Sequence, residues 1–282
     1  MEPRKKFLRF RNEKIIFFTF TGLMLAVYLF EFFIILPRIQ ASDPTFHKGI
    51  HIFFGTLILI NAYLSVWKFI TTDATSGSRV LPSSLEKGWK YCWKCEANAP
   101  PRSYHCFTCH KCILVRDHHC VLVSHCVGHA TMRYFLSMLM NMWVALLYSN
   151  ILNFDFVWEV FHVLQPKTLL TMFVPWLAWV LGYAESETFV MAIMTSICLL
   201  GFMYCTVMLG WHGRNLLKGR TCHEMAKKIG FNYDLGAAEN IAQVFGVNWK
   251  YAWISPIIPS PLPGDGISFK EKEFVERNGK GL

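Results

Sequence analysis

Charge is scarce in this chain. Only 17% of its 282 residues are Asp, Glu, Lys or Arg, against about a quarter in soluble domains, which excludes an ordinary soluble globular domain as the first reading. Acid is the scarcer sign, 19 residues against 28 basic, for a net charge of +9. No internal repeat is read, and no C-terminal prenylation or retrieval signal. What the chain has instead is apolar and aromatic side chains, 53% and 16% of the residues.

Four apolar runs are long enough for a bilayer, which takes roughly 17–25 residues per helix. They are Ile15–Leu36, Ile50–Ile70, Tyr134–Asn153 and Phe189–Trp211. The first exceeds the roughly 7–15 apolar residues of a signal-peptide core and reads as a retained anchor. A fifth stretch, Thr168–Ala184, is short and carries Pro175 and Gly182, so it reads as an interfacial or re-entrant piece. Glu31 and Asn61 fall inside spans, where a polar group lines a cavity or pairs between helices. The expectation is an all-α, four-span integral membrane protein: an N-terminal arm 1–14, spans 15–36 and 50–70, a loop 71–133, spans 134–153 and 189–211, and a tail 212–282.

The basic residues are distributed unevenly between these segments. Six precede the first span, including Arg4, Lys5, Lys6 and Arg9. Eight lie between Arg79 and Arg133, and ten follow the fourth span. The other two connections hold Arg38 and Lys48, and Lys167. The positive-inside rule puts the N-terminus, central loop and tail in the cytosol. Topology and attraction to anionic lipid account for the positive charge, so nucleic acid is not expected as a partner.

Seven of the ten cysteines lie between Tyr91 and Cys126. Cytosolic thiols stay reduced, so such a cluster points to metal or catalysis rather than disulfides. Pairs spaced Cys-x2-Cys with histidines nearby are a zinc pattern, because a two-residue turn brings two thiolates onto one tetrahedral ion. A loop this poor in apolar residues would take its folding free energy from the metal. Two closed sites need eight ligands. The segment 92–129 offers seven cysteines and six histidines, so at least one cysteine is left over, and spacing alone does not say which.

The stretches "YCWKC" (91–95), "PRSYHCFTCHKCILVRDHHC" (101–120) and "CVG" (126–128) resemble the cysteine-rich domain of the DHHC family of membrane protein S-acyltransferases, or palmitoyltransferases. The likeness extends to the span arrangement, to "TCHE" at 221–224 and to "NYDLG" with Asn240. It implies two structural zinc sites, one of Cys92, Cys95, His105 and Cys112, the other of Cys106, Cys109, His119 and Cys126. It leaves Cys120 as the nucleophile, His118 as its base and Asp117 holding His118. It implies transfer of a long-chain acyl group from acyl-CoA (palmitoyl-CoA) to Cys120, then to cysteines of protein substrates near the membrane, with or without an accessory subunit. Arg102, Arg116 and Arg133 are candidates for the CoA phosphates. Thr221, Glu224 and Asn240 are expected to support the structure. Endoplasmic reticulum or Golgi membranes are implied, with the plasma membrane as the alternative.

The chain departs from the family pattern at Val121–His125, at Thr131, at Cys222 and after the second span, where Asp73 alone is kept. These changes leave Asp117, His118, Cys120 and every expected zinc ligand in place. Two rivals stand beside the enzyme: an adaptor of little or no activity on the same scaffold, and a RING-like membrane ubiquitin ligase, which needs no reactive cysteine.

Overall fold

The computed structural model describes residues 11–43, 45–78, 84–85, 88–161, 166–228 and 233–269. The basic residues Arg4, Lys5, Lys6 and Arg9, Arg79 of the loop, Asn232 of the tail motif and residues 270–282 lie outside the described residues. The chain divides into two compact units, one drawn from Leu8–Val66 and Ser137–Leu209, the other from Trp67–Leu136 and Gly210–Leu282.

The first unit is helical. Helix α1 (Arg11–Phe30) passes through a π-helical turn (Glu31–Ile35) into α2 (Leu36–Ser42), and α3 follows at Lys48–Thr71. Pro37, in the first turn of α2, has no N–H to give the preceding turn, and the wider π turn absorbs the break in the ladder. Beyond the second unit's hairpins come α4 (Met132–Leu152), α5 (Phe154–Phe161), α6 (Pro166–Phe173), α7 (Pro175–Val180) and α8 (Ser186–Leu217).

Among the described residues, four helical stretches are long and apolar enough to cross a membrane: Asn12–Ser42, Lys48–Thr71, Met132–Leu152 and Ser186–Leu217. They fit a multi-pass membrane protein. Large apolar side chains such as Phe18, Phe53 and Leu200 face outward, a surface suited to lipid and costly in water. The region Thr168–Ala184 is two short helices broken at Val174.

Inside this unit Phe30, Ile35, Phe156 and Met191 form a packed cluster. Glu31 is buried and accepts a 2.9 Å hydrogen bond from Asn153 Nδ2. It also lines an apolar cavity of about 170 Å³ with Tyr28, His51, Leu146 and Gly201. The two readings of that span glutamate, cavity lining and helix pairing, therefore hold together.

The second unit contains no long apolar run of its own. Three antiparallel hairpins follow one another: β1 (Lys90–Cys92) with β2 (Ala97–Ala99), β3 (Tyr104–Cys106) with β4 (Lys111–Ile113), and β5 (His118–Cys120) with β6 (His125–Val127). The core beneath them is Ala74, Cys106, Ile113 and Cys126. The tail adds α9 (Cys222–Lys227), α10 (Ala237–Phe245) and α11 (Trp249–Ala252).

Candidate active site and metal centres

The three hairpins are copies of one unit. Cys92, Cys106 and Cys120 each end a first strand, fourteen residues apart. The residues that close the turns, Glu96, His110 and Ser124, keep the same interval and share a left-handed backbone, with φ of 51°, 54° and 48°. His105 pairs with Cys112 across the second hairpin, and His119 with Cys126 across the third. The sequence reading found no repeat. The period is short, and the third copy disguises it, because Val123 stands where the first two turns have Cys95 and Cys109.

This repeat decides which thiols meet. The turn thiols of one hairpin collect the cross-strand His–Cys pair of the next. Cys92, Cys95, His105 and Cys112 form one group, Cys106, Cys109, His119 and Cys126 another, with ligand atoms within 4.8 Å of one another in each. His105 Nδ1 lies 3.7 Å from Cys92 Sγ and 3.2 Å from Cys95 Sγ. His119 Nδ1 lies 3.9, 3.3 and 3.6 Å from the sulfurs of Cys106, Cys109 and Cys126. Ions bonded to sulfur at about 2.3 Å and to nitrogen at about 2.0–2.1 Å have ligand–ligand edges of this length, and three cysteines with one histidine is a zinc donor set.

The third turn has no successor hairpin and no second thiol. Val123 is fully buried in its place. Cys120 therefore belongs to neither group. It sits buried against His118, whose Nδ1 donates to Asp117 Oδ2 at 2.7 Å. Asp117 is itself enclosed, and its other oxygen accepts the Cys222 backbone N–H at 2.7 Å. Burial alone would raise the Asp117 carboxyl, but the hydrogen bond and charge of His118, with the Cys222 amide, hold it below the usual range. Burial likewise disfavours a charged His118, yet its bonds to Asp117 and Cys120 push it up to about 9. Such a pairing keeps an imidazole oriented and ready to exchange a proton with a thiol.

The expected support residues are engaged. Thr221 caps α9, accepting from the Glu224 N–H at 3.1 Å, while Glu224 accepts from the Thr221 N–H at 2.8 Å. This is a capping box. Asn240 bonds Leu217 O, Asp234 and Leu235 N–H. Thr131, one of the departures, accepts from Gly128 N–H and donates to Cys126 O, both at 2.9 Å, fixing the start of α4.

The candidate CoA arginines are placed differently. Arg102 grips the buried Glu224 with Nε at 2.6 Å and Nη2 at 2.9 Å. Arg133 donates to Ser260 O and Ile258 O. Both guanidinium groups are thus tied to tail residues, because a buried cation must find acceptors within the fold. Arg116 is half-buried, with Nη1 2.9 Å from His223 Nδ1.

One residue the sequence reading did not single out stands in the site. His212, near the end of α8, has its Nδ1 3.7 Å from Asp117 Oδ2 and its ring 5.3 Å from that of His118. A histidine closing an apolar run, nine residues before the "TCHE" segment, was the available signal.

Fold and site define a helical protein with, among the described residues, four helical stretches of membrane-spanning length and a cysteine–histidine repeat domain of zinc-binding type whose third hairpin carries one thiol outside both clusters. Residues 85–229 match the family described as DHHC palmitoyltransferase. The "Probable palmitoyltransferase ZDHHC24" of Homo sapiens is 36% identical over 75% of this chain and 75% of its own length. That of Danio rerio is 36% identical over 85% and 82%. "Palmitoyltransferase ZDHHC15" of Rattus norvegicus is 29% identical over 66% and 52%. The chain belongs to the DHHC palmitoyltransferase family.

Proposed function

We infer that this protein is a protein-cysteine S-palmitoyltransferase in which Cys120 carries the acyl group. The observation that supports this most is the position of Cys120, in the third hairpin, outside both thiol clusters and against the Asp117–His118 pair. His118 takes the Cys120 proton, with Asp117 fixing its tautomer so that Nε2 faces the thiol. The thiolate attacks the thioester carbonyl of a long-chain acyl-CoA. A new C–S bond forms, the bond to CoA breaks, and CoA leaves as a thiol with the proton His118 returns. A substrate cysteine thiol, giving its proton to His118, then attacks the Cys120 thioester; the new C–S bond forms, the bond to Cys120 breaks, and His118 returns that proton to the Cys120 thiol. Each step exchanges one thioester for another, so no further energy source enters.

Two zinc ions would be held by the two Cys3His groups and would supply folding free energy rather than chemistry. Hydrocarbon of an acyl chain is the class of ligand suited to the apolar cavity of the helical unit. Of the three candidate arginines, Arg116 is left as the one for CoA phosphate, with Arg102 and Arg133 as braces to the tail. The unequal Lys and Arg counts support cytosolic termini and a cytosolic hairpin domain, and the family likeness is what supports an endoplasmic reticulum or Golgi membrane, with the plasma membrane as the alternative. Protein substrates with cysteines near that surface would be the partners.

Incubation of the purified protein with alkyne-tagged palmitoyl-CoA should leave hydroxylamine-labile label on the wild type and none on Cys120→Ser with unchanged zinc content. Equal label on both would remove Cys120 from the mechanism. No label on either, with zinc intact, would favour the adaptor reading.

A further inference from the structure

Cys222 is the departure in the "TCHE" segment, and it lies beside the buried Asp117. Its Sγ is 3.7 Å from His212 Nδ1, and His212 Nδ1 is 3.7 Å from Asp117 Oδ2. All three ligand atoms lie within 4.8 Å of one another. Those edges match the 3.2–3.9 Å between histidine nitrogen and cysteine sulfur in the two Cys3His groups. We propose that Asp117, His212 and Cys222 form a third zinc site, separate from the two in the hairpins, and that zinc bound there inhibits acyl loading of Cys120.

The donor set suits the ion. Imidazole, thiolate and carboxylate are all zinc ligands, and three protein ligands leave a fourth position for water. Asp117 and His212 are only 2% and 4% exposed, so an ion held between them is shielded from competing solvent. The sulfur already has donors: Trp211 Nε1 points at it from 3.2 Å and Asn215 Nδ2 from 3.6 Å. N–H groups directed onto sulfur stabilise a metal-bound thiolate. A thiolate beside the Asp117 carboxylate needs a cation to balance the two negative charges, and a divalent ion held between them supplies it. The serine or threonine hydroxyl that would resemble the thiol in shape is a far weaker zinc ligand, so the thiol is what makes the site.

The consequence follows from Asp117, whose Oδ2 also accepts the His118 hydrogen bond. An ion on that carboxylate competes for the oxygen that orients His118 and places positive charge beside the imidazole. The inhibition rests on the proposed role of the Asp117–His118 pair; the zinc count does not, so the two can fail separately.

The test is zinc content per chain of the full-length protein equilibrated against buffered free zinc over the micromolar range, with acyl loading measured on the same samples. Wild type should gain one zinc equivalent beyond those of the hairpins and lose about a hundredfold or more of its loading rate, the scale of a general-base contribution. Cys222→Thr and Cys222→Ser should keep the hairpin zinc, gain none, and hold their own zinc-free rate at every concentration. His212→Gln should likewise lose the extra equivalent. No extra zinc on wild type, or the same extra zinc on the Cys222 variants, overturns the site. Extra zinc on wild type with undiminished loading overturns the inhibition. A wild type that takes up the third zinc but never loads acyl groups would keep the site and refute the transferase reading of Cys120.

Discussion

Two ion pairs in this protein show how position sets the worth of a residue. Glu224 is 3% exposed and receives Arg102 through two nitrogens, along with the Thr221 amide. Arg38 and Glu187 also meet at 3.0 Å, but in the open, at 49% and 71% exposure. Removing one partner of a buried pair strands the other charge and costs about 3–5 kcal/mol, whereas an exposed pair is worth about 0–1 kcal/mol. Arg102→Ala should therefore lower the thermal unfolding midpoint markedly, while Arg38→Ala leaves it nearly unchanged. Equal effects would mean that Arg102 does not brace the tail. Asp117→Asn keeps the shape of the carboxyl but not its charge, and an amide can present its NH2 to His118 and reverse the tautomer. Its acyl-loading rate should fall by about 10²–10⁴ with zinc content intact. A loss below tenfold would remove Asp117 from the proton path.

At the scale of elements, the hairpins and the helices stand on different footings. Each hairpin strand has three residues, and a two-stranded hairpin of that size is marginal in water. Zinc should hold the hairpins and burial the helices. Stripping metal with a chelator should expose all seven cysteines of the loop to alkylation while helical circular dichroism largely persists. Protection of Cys106 and Cys126 after complete zinc removal would contradict this, because both are buried in the folded unit. The same contrast explains what was legible beforehand. Apolar runs of twenty residues or more announce α1, α3, α4 and α8 without any partner, since span length alone sets the signal. Strands of three residues carry no usable period. The split of eight ligands into two groups came from family likeness, whereas the fold gives it a local cause: each turn meets the cross-strand pair fourteen residues on. The ties of Arg102 to Glu224 and of Arg133 to Ser260 join residues more than 120 apart in sequence, and no local pattern encodes such a contact.

At the scale of the whole molecule, orientation turns on whether the Thr168–Ala184 region crosses the bilayer. Its two helices have eight and six residues, Pro166–Phe173 and Pro175–Val180. At about 1.5 Å per residue they reach about 12 and 9 Å, well short of the roughly 30 Å hydrocarbon core. The break at Val174, with φ −137° and ψ 62°, precedes Pro175, whose ring restricts the residue before it and ends the first helix. Four crossings, an even number, would return the chain to its starting side, and in the proposed orientation the basic residues of the loop and tail would share the cytosolic face, as the positive-inside rule favours. An N-glycosylation acceptor cassette placed at 43–47 or 181–185 should be glycosylated in microsomes, and the same cassette at 233–236 should not. Glycan at 233–236 as well as at 43–47 would require a fifth crossing, and with it a Thr221–Glu224 segment across the membrane from the loop. Asp117 accepts its hydrogen bond from the Cys222 amide of that segment, so that pair of glycans would undo the proposed site together with the orientation.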